Sequence, residues 1–328
     1  MRAAIIGLSG PRLTADEAAL LARRRPVGVI LFARNVENPG QLRALNAEIR
    51  EVLGAEAPIL VDQEGGRVAR LRPPHWPVFP PAARFENGPA QAARANAEAI
   101  GRTCAAEGFD VVCAPCLDLR LPEGHGVIGD RAFSADPAEV TRLGAAVIEG
   151  LRAGGVMPVL KHIPGHGRAR LDSHEALPVV EGGAAALAAD LAPFRALAAD
   201  DLWAMTAHIR YPAWDAARCA TLSATIIASV IRGEIGFGGF LVSDDLGMGA
   251  LAGSLGERTR AALEAGCDAV LHCSGVLAET RAVLEAAAPL TDAARRRLAA
   301  SRAALPPVTT RAVHALAEAG QGDRAADA

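Results

Sequence analysis

No basic run interrupts this 328-residue chain: 34 Lys+Arg stand against 37 Asp+Glu for a net charge of -3, so no patch advertises a polyanionic partner and nucleic acid is excluded as an expectation. Long uncharged apolar stretches are missing too, and no segment has the length of a membrane span, so no membrane partner is expected. The start, Met1-Arg2-Ala3-Ala4-Ile5-Ile6-Gly7-Leu8, has one basic residue and an apolar run cut short by Gly7 and Gly10. It reads as a first core strand rather than a secretory leader. Cysteines at disulfide-framework spacing are also lacking. The six present (Cys104, Cys113, Cys116, Cys219, Cys267, Cys273) sit mostly inside apolar stretches and read as small buried hydrophobes in a reducing compartment. Cys113-Ala114-Pro115-Cys116 matches CxxC, but no second pair follows at zinc spacing, and along a strand the two positions face opposite sides. No internal repeat and no second domain are visible.

What is present is apolar surface, 51% of residues, enough for one large core. Eight strand-like apolar runs recur: Ala3 to Leu8, Val27 to Phe32, Pro58 to Asp62, Asp110 to Ala114, Met157 to His162, Leu202 to His208, Phe240 to Ser243 and Asp268 to Cys273. Each is nearly continuous in hydrophobicity, the pattern of parallel strands covered on both faces. Between them lie helix signals. Thr14-Ala15-Asp16-Glu17 and Ser254-Leu255-Gly256-Glu257 are capping boxes, Asn38-Pro39 and Asp136-Pro137 are N-caps followed by proline, and Val140, Leu143, Val147 and Leu151 share one face before a stop at Gly154-Gly155. Eight such units predict a single (β/α)8 TIM-type barrel over residues 1–305, an α/β fold; an open doubly wound sheet is the alternative, because periodicity does not show closure. Pro306-Pro307 ends the last helix, and a C-terminal extension, 306–328, is expected to finish in a disordered tail.

In such a barrel, chemistry collects at the C-terminal ends of strands. The third strand runs into Asp62-Gln63-Glu64-Gly65-Gly66-Arg67-Val68-Ala69-Arg70, whose acids and guanidiniums suit the vicinal hydroxyls of a sugar; the bland reading is a surface salt-bridge network. The fourth leads to Gly129-Asp130-Arg131, where Arg131 either folds over the barrel mouth or pairs on the surface with Asp130 or Asp136. The fifth ends in the densest cluster: Lys161-His162-Ile163-Pro164-Gly165-His166-Gly167, then Asp172-Ser173-His174. As a metal site, His162, His166, Asp172 and His174 supply nitrogen and oxygen ligands for zinc. As an acid/base device, Asp172 orients His174, whose ordinary pKa near ~6.5 lets it both give and take a proton. Gly165 and Gly167 favour a mobile loop over a rigid cage, hence the second reading. The seventh strand delivers Asp244-Asp245, adjacent acids that point apart on extended backbone, so one faces the substrate and the other is structural.

These residues resemble the family 3 glycoside hydrolases, in particular the single-domain bacterial β-N-acetylglucosaminidases of cell-wall recycling, over roughly residues 1–305. Lys161-His162, Pro164-Gly165-His166-Gly167 and Asp172-Ser173-His174 carry the resemblance, supported by Gly7-Leu8-Ser9-Gly10, Val61 to Val68, Gly129-Asp130-Arg131 and Ser243-Asp244-Asp245-Leu246. The resemblance implies Asp244 as nucleophile, His174 as acid/base with Asp172 as its partner, and Asp62, Arg70, Arg131, Lys161 and His162 as the residues holding a non-reducing N-acetylglucosamine. It implies no cofactor and no metal, a muropeptide-type carbohydrate substrate, a cytoplasmic location, and retention of configuration by double displacement. Asp130 stands where the family pattern has Glu. A histidine acid/base is neutral once deprotonated and does not repel an anion, so phosphorolysis at the same site is the alternative to hydrolysis. A metal-dependent barrel hydrolase and a silent sugar-binding barrel are the other readings; nothing in the residues sets the oligomeric state, and a monomer is favoured.

Overall fold

In the computed structural model, which describes residues 1–305, the eight apolar runs form eight parallel strands: β1 (Arg2–Gly7), β2 (Pro26–Leu31), β3 (Ile59–Val61), β4 (Val111–Val112), β5 (Met157–Ile163), β6 (Trp203–Thr206), β7 (Phe240–Asp245) and β8 (Ala269–His272). Each pairs with the next and β8 pairs with β1, so the sheet closes into a barrel. Closure decides against the open sheet. The extension 306–328 lies outside the described residues.

The helices start and stop where the local chemistry directs. Thr14 and Ser254 make reciprocal capping boxes with Glu17 and Glu257 at the heads of α1 (Ala15–Arg24) and, later in the chain, α6 (Leu255–Ala265). Asn38 and Asp136 cap α2 (Pro39–Leu53) and α4 (Pro137–Ala153), each with proline in the first turn. Between these two lies α3 (Ala90–Ala106), and α5 (Ala184–Leu197) follows β5. After β6 the connection winds as a π-helix, Ile226–Glu234, and α7 (Leu277–Ala286) and α8 (Asp292–Ala303) complete the outer layer. Along α4, Val140, Leu143 and Leu151 are buried and Val147 partly so, giving the apolar face its place against the barrel. Each fully buried leucine or valine of this kind contributes about 1.5–3 kcal/mol. Among the described residues no helix is long and apolar enough to cross a membrane. All six cysteines are unpaired, five of them buried and Cys273 half-buried.

Two strands carry an extra residue at their C-terminal ends. Lys161 pairs with Met205 but Ile163 with the next residue, Thr206, so His162 bulges out of the ladder. Likewise Val242 pairs with Ala269 but Asp245 with Leu271, leaving one extra residue in the Ser243-Asp244 stretch. A bulge bends its strand and re-aims the side chain it carries. The Ser243 hydroxyl stitches the second one, accepting from Leu271 N at 2.9 Å and donating to Asp244 O at 2.7 Å.

Candidate active site

At the C-terminal end of β3, Asp62 accepts hydrogen bonds from Lys161 Nζ at 3.2 Å and Arg70 Nη2 at 3.0 Å. Arg70 is delivered by a tight return of the chain that Gln63 organises: its Oε1 accepts from Arg70 N and Leu71 N, and its Nε2 donates to Leu71 O. The guanidinium then lies over the Phe32 ring at 5.4 Å. Burial pushes the Asp62 carboxyl up, but Lys161 and Arg70 outweigh it and hold the group below its ordinary value. Lys161 is buried and Asp62 and Arg70 partly so, whereas Arg67 in the same segment forms an exposed pair with Asp130.

Glu64, the next acid, neutralises two cations at once. Arg131 forks onto it, Nε to Oε2 and Nη2 to Oε1, both 2.9 Å, and Lys161 Nζ lies 2.6 Å from Oε1. Burial raises the carboxyl, and the attraction of Arg131 and Lys161 overturns this and drives it far below the usual range. Lys161 responds in kind: burial lowers it, and Glu64 and Asp62 bring it above an ordinary lysine. Arg131 therefore pairs neither with Asp130, which binds Arg67 at 3.0 Å, nor with Asp136, which caps α4. Glu64 stands within the Asp62-to-Arg70 stretch, where no local pattern marks it as the partner of a distant arginine. One signal was available: Lys161 is the only lysine in the chain, against thirty-three arginines.

His162 and His166 converge on a carboxylate that the sequence reading missed. Asp118, buried just beyond β4, accepts from His162 Nδ1 at 2.7 Å, His162 N at 3.2 Å and His166 N at 2.6 Å. Burial raises it, and the two histidines with their N–H groups lower it to about 2. His166 Nε2 meets Ser173 Oγ at 3.1 Å, and burial, then His162, depress its pKa to about 4.

Asp172 and His174 do form a dyad. His174 Nδ1 and its backbone N–H both approach Asp172 Oδ1, at 2.7 and 2.9 Å. Burial raises the Asp172 carboxyl, and these two contacts bring it below its usual value. The His174 side chain is 63% exposed, and its Nε2 has no hydrogen-bond partner among the described residues. The loop carrying the dyad is docked onto the segment that follows β7. Gly249 N and Ala250 N donate to His174 O and Ser173 O, and a Cβ at Gly249 would lie 2.6 Å from Glu175 O. The expectation that Gly165 and Gly167 loosen this loop needs correcting. A Cβ at Gly167 would sit 2.3 Å from Leu119 O, and one at Gly165, whose φ is +138°, 2.9 Å from Asp190 Cβ, so both serve close packing.

Asp244 sits at the bulge of β7. Burial raises its carboxyl; His162, His208, the Asp245 N–H and His174 reverse this and keep it below the ordinary value, ready as an anion. His208, buried at the end of β6, bonds Thr221 Oγ1 through Nδ1 at 2.7 Å and Asp245 O through Nε2 at 3.0 Å. Asp245 turns away to accept from Gly247 N at 2.9 Å and Cys273 N at 3.0 Å, tying β7 to β8. The pair thus splits into one anion near the histidines and one brace.

Among the described residues His162, His166, Asp172 and His174 do not form one converging group of ligand atoms, and His162, His166 and His174 each hold a different partner through one ring nitrogen. Among the described residues the one group with metal-like convergence is Cys116, Asp118 and His162. There the donors already point at Asp118, Cys116 Sγ at 3.3 Å included, and burial pushes the thiol well above its normal pKa. A cavity of about 680 Å³ also opens at the opposite end of the barrel, where its charges are matched in pairs such as Arg43–Glu107 and Arg50–Asp110.

The glycosyl hydrolase family 3 N-terminal domain matches residues 3–302. A β-hexosaminidase from Alkalilimnicola ehrlichii is 46% identical over 284 residues, 82% of this chain and 80% of its own. One from Methylococcus capsulatus is 41% identical over 303 residues, 89% of each chain. Among solved structures, NagZ from Neisseria gonorrhoeae in complex with N-trifluoroacetyl-D-glucosamine is similar at TM-score 0.84 and 34% identity, over 95% of this chain and 93% of that one. A family 3 β-N-acetylglucosaminidase from Paenibacillus sp. gives TM-score 0.85 and 33% identity; it is matched over 92% of this chain, which spans 61% of that longer protein.

Proposed function

The chain belongs to glycosyl hydrolase family 3 and is a glycoside hydrolase of the β-hexosaminidase type, and from that premise we propose that it is a retaining exo-β-N-acetylglucosaminidase. The observation that carries this reading is the pairing of an ionised Asp244 on the β7 bulge with an Asp172–His174 dyad on the loop after β5. Asp62, Arg70, Lys161, His162 and Arg131 hold the non-reducing sugar. Asp62 accepts from hydroxyl groups while Arg70 and Lys161 orient it. In the first step Asp244 attacks the anomeric carbon, and imidazolium His174 delivers its Nε2 proton to the departing oxygen. Asp172, on Nδ1, fixes the ring and stabilises its positive charge. In the second step neutral His174 takes a proton from water, which displaces Asp244 from the glycosyl enzyme and releases the sugar with its configuration retained. Two inversions at one carbon make that outcome obligatory.

The substrates we assign are N-acetylglucosaminyl-1,6-anhydromuramyl peptides, processed in the cytoplasm by a monomer that needs no cofactor. Support comes from the relatives named β-hexosaminidase and from the N-trifluoroacetyl-D-glucosamine complex of the Neisseria NagZ. The decisive experiment is mass analysis after incubation with a 2-acetamido-5-fluoro glycosyl donor. A sugar adduct on the peptide containing Asp244 is the expected result. An adduct elsewhere, or none while the donor is turned over, overturns the double displacement through Asp244.

A further inference from the structure

His162 has two ring nitrogens with different surroundings. Nδ1 lies 2.7 Å from Asp118 Oδ2. Nε2 has no hydrogen-bond partner among the described residues, and His162 is the first of the side chains that act on the Asp244 carboxyl. Asp118 is 1% exposed and surrounded by donors: the backbone N–H of His162 and of His166, the ring of His162 and the thiol of Cys116. An ionised carboxylate only accepts. Nδ1 of His162 must then be the protonated nitrogen, and in the neutral ring Nε2 is left as a bare lone pair.

We propose that Asp118 is a positioning residue for the reaction: it holds His162 in the Nδ1–H tautomer, so that Nε2 meets the bound sugar as a hydrogen-bond acceptor for one of its hydroxyls. The bulge supplies the aim and Asp118 supplies the polarity. A histidine with the opposite tautomer presents a donor at the same place, and a sugar hydroxyl already donating elsewhere would fit it instead. The side of the site lined by Lys161 and Arg70 offers donors. The His162 side thus complements it, and a hydroxyl can accept from one flank and donate to the other. This inference rests on the proposed role of His162 in holding the sugar.

The tautomer can be read without any activity measurement. Histidine-selective 15N labelling and long-range 1H–15N correlation, with the His162 signals identified by their loss in His162→Gln, should show a protonated Nδ1 and an unprotonated Nε2 in the wild-type protein once the ring is in its neutral form. A wild-type His162 carrying its proton on Nε2, or signals displaced by a stoichiometric metal on the Cys116–Asp118–His162 group, overturns the proposal. Asp118→Asn should move the population toward Nε2–H and lower kcat/KM about ten- to a hundred-fold, the cost of one buried hydrogen bond left unmade. In a His162→Gln background the same substitution should cost less than about twofold, because two residues acting through one interaction are not additive. Additive losses would place the effect of Asp118 elsewhere in the fold and sink the assignment. Failure of the Asp244 adduct experiment would remove the glycosyl-enzyme reading and leave the tautomer result standing.

Discussion

Glu64→Gln tests the electrostatic heart of the site. The wild-type carboxylate compensates two cations that are themselves enclosed: Lys161 is 3% and Arg131 11% exposed in their side chains, and Glu64 6%. At an effective dielectric near 20, each such pair is attracted by about 4 kcal/mol at ~4 Å separation, and burying the carboxylate costs several kcal/mol in return. The assembled triad is therefore only modestly stabilising. Removing the carboxylate while both cations stay buried is not modest, because their desolvation cost remains and its compensation goes, a loss of about 3–5 kcal/mol. Asp62, 3.2 Å from Lys161, and Val127 O, 3.3 Å from Arg131, retain part of it, which favours the lower end. For a domain of this size the melting temperature should fall by roughly 6–10 °C. A second readout follows from Lys161. Its pKa is raised in the fold, so its contribution to stability is complete below the unfolded value of 10.5 and is lost as pH rises through the higher folded value. With Glu64 gone, burial regains influence, and the alkaline loss should begin at lower pH. Selective 15N-lysine labelling reads this directly, since one lysine gives one Nζ resonance. A variant whose melting temperature drops by less than about 1 °C, with an unmoved Lys161 titration, would refute the triad as a buried compensating unit.

Asp244→Ala should fold normally and lose on the order of 10^4-fold or more in turnover; Asp245→Ala should instead lose about 1–3 kcal/mol of stability, because the N–H groups of Gly247 and Cys273 lose their acceptor. A dead but stable Asp245 variant beside an active Asp244 variant, measured by kinetics and thermal melts, would reverse the assignment. In His174→Ala, disaccharides should slow far more than aryl glycosides with good leaving groups, and small anions should restore turnover of the activated substrates; equal losses without rescue would leave the proton donor unidentified. His166 is held neutral in the fold, at about 4 against 6.5 unfolded, so the stability it contributes is present above pH 6.5 and is lost as pH falls toward 4. Urea denaturation at pH 7 and 4.5 should show wild type losing on the order of 2 kcal/mol more than His166→Asn, and parallel losses would contradict this.

Much of this molecule was legible along the chain because the governing interactions are short in sequence. Thr14 and Ser254 announce helix starts through groups three residues away, and a strand wrapped by helices must be apolar on both faces, so eight continuous runs already imply eight parallel strands. The Asp172–His174 dyad belongs to the same class, being a contact between residues two apart. What closure decided is of another kind. Glu64 finds Arg131 67 positions on, and Asp118 meets the His162 ring 44 positions on, separations over which no local pattern operates. The role of Gly167 likewise depends on a backbone oxygen of Leu119, and packing density rather than loop freedom explains it. The bulges at His162 and near Asp244 exist only as a mismatch between neighbouring strands. An isolated strand has no register, so the placement of Asp244 near the histidines, the different partners of Asp245, and the pairing of Glu64 with Arg131 and Lys161 are properties of the closed barrel.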